Sequence, residues 1–61
     1  MKIYTFYVIC SRVHIHFHGE YAEDVEIQAK DLEQALLRLT EWEFEKDRPI
    51  SYWQLKAVRE K

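Results

Sequence analysis

Glycine, proline, cysteine and methionine each occur once in the 61 residues, and the scarcity of the first three limits what the chain can build. With Cys10 alone, an intrachain disulfide is excluded. A lone cysteine and the lack of a signal-peptide pattern point to a reducing, cytoplasmic setting. One glycine leaves no phosphate-cradling loop, and neither Ser11 nor Ser51 has the glycine context of a nucleophile turn. No run of 18 apolar residues occurs, so no helical membrane span is expected. The cations are scattered from Lys2 to Lys61, and 9 Lys and Arg against 11 Asp and Glu leave a formal charge of −2. Nucleic-acid binding rests on clustered cations that displace counterions, so it is not expected. The carboxylates fall on what reads as solvated helix surface, where burial cannot tune them for acid–base work. Neither enzymatic activity nor a cofactor is expected.

What the chain has in quantity is apolar and aromatic side chains. A single domain, 1–61, buries only roughly 60% of the surface its unfolded chain exposes, so its stability is thin. Small domains compensate with disulfides, metals or partner subunits. The first of these is already excluded.

The opening segment MKIYTFYVICSRVHIHFH is rich in β-branched and aromatic residues and has neither glycine nor proline, which is strand composition. Tyr4, Phe6, Val8 and Cys10 share one face, and Ile3, Tyr7 and Ile9 the other. Two apolar faces mark a central strand. A strand bent or bulged near Ser11 and running to about His18 is expected, then a hairpin loop over residues 19–24. Val25, Glu26, Ile27, Gln28 and Ala29 alternate as a second strand, with Val25, Ile27 and Ala29 inward.

Asp31 followed by Gln34 forms a capping-box-like helix start. Leu32, Ala35, Leu36, Leu39 and Trp42 then recur as one helical stripe, and Asp47-Arg48-Pro49 ends the helix at about Lys46. A last strand is expected over residues 51–59. The fold class is therefore α+β: a three-stranded antiparallel or mixed sheet, β-β-α-β, with the first strand central and one helix on one face.

Three features compete for a functional reading. His14, His16 and His18 alternate along a strand, placing neighbouring rings roughly 7 Å apart on one side. Two such rings can share a zinc ion, but His14 and His18 are too far apart for a third ligand. Cys10 could join only through a fold-back at Ser11. Such a site would need a residue from a second chain, so no metal is assigned within one chain. The bland reading is a solvated strand face, and protonation of these histidines could weaken an interface below about pH 6.

The second feature is the run Glu41-Trp42-Glu43-Phe44-Glu45. Leu37 and Phe44 are seven residues apart, off the core stripe, and flanked by Glu41 and Glu45. Phe44 either folds over Pro49 and Ile50, or it joins Leu37 as an interface suited to a basic partner. The third is the sheet face that the helix leaves open, carrying Ile3, Tyr7 and Ile9 or the Tyr4, Phe6, Val8 set. Contiguous apolar surface of that kind marks an interaction site.

The segment Val25-Glu26-Ile27-Gln28-Ala29-Lys30-Asp31-Leu32-Glu33-Gln34-Ala35-Leu36 resembles the strand-to-helix junction of the small DpnD/PcfM-like proteins of phages and mobile elements. The resemblance covers about a fifth of the chain. It implies an accessory protein of unassigned activity and carries over no functional residue. The expected function is a protein-interaction module, homodimeric or bound to another protein, which inhibits or adapts a host protein. Its partner-binding residues are Ile3, Tyr7, Ile9, Leu37, Glu41, Phe44 and Glu45. The alternative is a small zinc-binding domain using strand histidines.

Overall fold

The computed structural model describes the backbone of residues 1–14 and 17–61 and the side chains of 1–11 and 19–61. Strands β1 (Lys2–His14) and β2 (Phe17–Ala29) are followed by helix α1 (Leu32–Lys46) and strand β3 (Ile50–Glu60). The sheet order is β2-β1-β3, with both pairings antiparallel. The β-β-α-β order and the central first strand are thus as expected. Thirteen residues at about 3.3 Å each span some 43 Å, which matches the 42 Å long axis of the molecule.

Two expectations about the strands are corrected. β1 and β2 stay paired from Lys2↔Ala29 out to His14↔Phe17 without a register break. Residues 19–24 are therefore strand, not a hairpin loop, and the first strand ends at His14 rather than His18. Gly19 pairs with Arg12, and its φ is not positive. The acidic segment reads as loop by composition, but its period-2 alternation continues backwards from Val25. Tyr21 points to the core side and Glu20, Ala22 and Asp24 away, which is enough to hold it in the ladder. The second correction concerns the bulge expected near Ser11. Register shifts occur instead between β1 and β3, at Thr5/Phe6 and Ile9/Cys10. The extra residues, Lys56 and Ser51, belong to β3.

The core lies on one side of the sheet. Tyr4, Phe6, Val8 and Cys10 of β1 and Val25, Ile27 and Ala29 of β2 pack with Ala35 and Leu39 of α1. The helix starts where the capping pair puts it: Asp31 Oδ1 accepts from the Gln34 N–H at 2.8 Å, and Gln34 Oε1 accepts from the Lys30 N–H at 2.9 Å. It stops at Asp47, whose backbone adopts φ 53° and ψ 45°. That left-handed geometry is uncommon but accessible to Asp. It lets the Asp47 N–H donate to Phe44 O and the Arg48 N–H to Glu43 O.

The expected helical stripe is partly revised. Ala35 and Leu39 are buried, Leu36 and Trp42 half-buried, and Leu32 stands 41% exposed. Truncating Leu39 should therefore leave a cavity and cost about 2–5 kcal/mol, with Leu36→Ala below it. Leu37→Ala, at 61% exposure, should cost under about 1 kcal/mol. Urea unfolding of the three variants checks this ranking. A Leu37→Ala cost equal to that of Leu39→Ala would mean that the helix is rotated about its axis.

Candidate functional site

The helix sits off-centre. Its closest approach is to β2, and the fully buried core joins it to β2 and β1, while from β3 only the half-buried Ile50 and Leu55 pack against that core. On one flank the Arg38 guanidinium donates to the Gln28 carbonyl of β2. The opposite flank, with Leu36, Thr40 and Glu43, faces β3 across a groove of about 310 Å³ whose other walls are Leu39, Ile50 and Trp53. Trp53 touches the core by an edge-on contact with Phe6, ring centres 5.7 Å apart at 77°. It is still 46% exposed, and Val58, further along the same strand, is 47% exposed. The core-side surface of β3 is therefore only partly covered: Ile50 and Leu55 are half-buried against the core, while Trp53 and Val58 stand nearly half in solvent.

The polar groups in this groove are already committed. The Glu43 carboxylate accepts from the Ile50 N–H. The Thr40 hydroxyl donates to the Leu36 carbonyl at 3.1 Å. What faces solvent is mixed, with polar surface from Thr40 and Glu43 beside the apolar surface of Leu36, Leu39, Ile50 and Trp53.

On the outside of α1, Leu37 is 61% and Phe44 89% exposed. Phe44 does not fold over Pro49 and Ile50. Glu41 and Glu45 are exposed on the same helix, so the apolar stripe stands beside carboxylates as the spacing implied.

The far face of the sheet carries Ile3, Tyr7 and Ile9, each half-buried, and Thr5, which is buried. Long cations of β3 and that of Lys61, the residue after it, reach across β1 to acceptors on β2. Lys56 Nζ lies 2.8 Å from Asp24 Oδ2, Arg59 Nη2 is 2.9 Å from Glu26 Oε2, and Lys61 Nζ donates to Gln28 Oε1 at 3.2 Å. The hydrogen bond to Asp24 pushes the Lys56 ammonium above its ordinary range. The aliphatic stems of such side chains shield apolar surface while their heads stay wet. Each exposed pair contributes little by itself. Their position is what matters, because they cross the sheet at the levels of Ile3, Thr5 and Tyr7, leaving Ile9 beside Ala22 and the exposed Tyr52.

The side chains of His14, His16 and His18 lie outside the described residues. Among the described residues, no three His, Cys, Asp or Glu side chains gather as a metal site, and no helix is long and apolar enough to cross a membrane. Cys10 is wholly buried. Burial pushes its thiol above the ordinary range, and the hydrogen bond from the Tyr21 hydroxyl offsets only part of that. Arg48 caps this end of the core, 3.4 Å from Glu23 and over the Tyr21 ring.

The groove between α1 and β3 was not foreseen from the sequence. Its signal was the width of the helical stripe, since Leu32 and Leu36 extend it to one side, together with Trp53, Leu55 and Val58 on the last strand. No family model, no characterised protein and no solved structure matches this chain.

The burial of Cys10 has a chemical consequence. Its thiol should not react with an aromatic disulfide reagent in the folded chain and should react fully in denaturant. Rapid labelling under native conditions would place Cys10 at the surface and contradict the packing of β1 against α1.

Proposed function

We propose that the chain is a non-catalytic protein-interaction module of the cytoplasm, whose binding surface is made by α1 and β3. The observation that carries this reading is the coincidence of two uncovered apolar surfaces in so small a domain. Leu37 and Phe44 project from the outside of the helix, while Trp53 and Val58 lie bare on the core side of β3. Water-exposed aromatic surface of this kind costs solubility and is retained where a partner covers it. Tryptophan is also prominent among residues that dominate binding energy.

Glu41 and Glu45 flank the helical stripe and tune which partners approach. Ile3, Tyr7 and Ile9 contribute less, since each is half-buried and the ion pairs of the far face cross beside Ile3 and Tyr7. The resemblance of residues 25–36 to DpnD/PcfM-like accessory proteins implies an accessory role and assigns no activity; that this chain adapts or inhibits another protein is part of the proposal.

A tagged chain expressed in its source cell tests the proposal. Proteins, including untagged copies of the chain, should be retained by the native sequence and lost with the double variant Leu37→Ser, Phe44→Ser. Both positions are exposed, so the variant should keep its fold and melting profile. Identical retention by the two chains would refute the assignment of this surface.

A further inference from the structure

We infer that the partner of this surface is a second copy of the chain, docked so that the outer helical stripe of each copy covers the bare β3 strand of the other. This deepens the interaction reading and rests on it. Strands in a sheet stand about 4.8 Å apart, and a helix with its side chains is about 10 Å across. A helix centred over β2 and β1 leaves the single strand β3, a strip about 5 Å wide at the sheet edge, without a helix directly above it. Helices pack side by side at about 8–10 Å, so the helix of a second copy set beside α1 lies over β3 and its free edge.

A two-fold axis parallel to the strands, running within the helix layer, produces this arrangement. The two helices then lie side by side between two sheets. Each helix keeps its inner stripe, Ala35 and Leu39, on its own β1 and β2. Its outer stripe, Leu37 and Phe44, faces the other sheet at β3. Leu36 and Thr40, on the flank toward β3, meet their counterparts at the axis.

The levels along the strands agree as well. The groove places residues 36–43 of the helix beside Trp53 and Ile50. An axis parallel to the strands preserves that level, so Phe44 of one copy reaches Ile50 and Trp53 of the other, and Leu37 reaches the stretch from Trp53 to Leu55. The interface is isologous and closed, which is the common outcome for small homo-oligomers.

The exposed area is sufficient. Aromatic side chains present about 150–250 Å² each, so Leu32, Leu37, Phe44, Trp53 and Val58 at their observed exposures leave on the order of 500 Å² of apolar surface per copy. Two copies would bury on the order of 1,000 Å², the size at which specific interfaces separate from incidental contacts. Strand addition at the free edge of β3 is a poorer alternative. The bulges at Ser51 and Lys56 interrupt that edge, and pairing there would leave the helices too far apart to cover Trp53.

Sedimentation equilibrium and thiol cross-linking together test the arrangement. The native chain should be dimeric, and Phe44→Ser and Trp53→Ser should each weaken the dimer at least tenfold. Phe44→Ser serves as the variant least able to disturb the fold. A mixture of Phe44→Cys and Trp53→Cys chains should be joined by a short bismaleimide, whereas Phe44→Cys alone should not, because the two Phe44 positions face opposite sheets. A native chain that stays monomeric at high micromolar concentration would overturn the second copy as partner. If the same monomer still loses a retained protein on Phe44→Ser, the interaction module stands without self-association. Cross-linking of Phe44→Cys to itself as readily as in the mixture would overturn the two-fold arrangement.

Discussion

One α-helix covers about two strands of a sheet, and this chain lays a single helix against three. The packing of Ala35 and Leu39 onto the row Tyr4, Phe6, Val8 and Cys10 fixes α1 over β1 and β2. Everything else about the surface follows from that placement. β3 is held by backbone pairing to β1 and by the edge of Trp53 against Phe6, and the helix reaches it at its start, where the Glu43 carboxylate accepts from the Ile50 N–H. Its core-side residues are left at the border between core and solvent.

The two faces of the sheet solve the same problem by different means. On the core side, apolar side chains are covered where the helix reaches and open where it does not. On the far side the chain uses charge. Lys56 and Arg59 from β3 meet Asp24 and Glu26 from β2 above the central strand. Their energetic contribution is small, yet the stems they lay across Thr5 and its neighbours limit the exposed apolar surface on that side. The apolar face that calls for a partner is consequently the helical side of the molecule, the one that also holds the core.

The fold was readable from the sequence because several local signals agreed. The two-faced apolar run of residues 3–10 required a central strand, and Asp31 with Gln34 marked the helix start to the residue. Residues 19–24 form strand where glycine and acidic composition suggest a loop, because their period-2 alternation continues that of the following residues. Long cross-strand pairing held Gly19 in a strand that it weakens only slightly. The binding surface was half legible. Leu37 and Phe44 stood out because they lie off the core stripe by spacing alone. The bare face of β3 did not stand out, because it depends on which strands the helix chooses. That choice is set by packing across residues distant in sequence, and by the position of Arg38 against Gln28.

Exposure of Trp53 in the single subunit is the point on which the account turns. A chain carrying Trp42→Phe and Phe44→Ser reports on Trp53 alone, and acrylamide quenching of its fluorescence at nanomolar concentration measures that exposure. The account predicts efficient quenching and red-shifted emission, as expected for an indole with nearly half its surface in water. Blue-shifted emission resistant to acrylamide would show that α1 already covers β3, and that no bare strand exists to be filled.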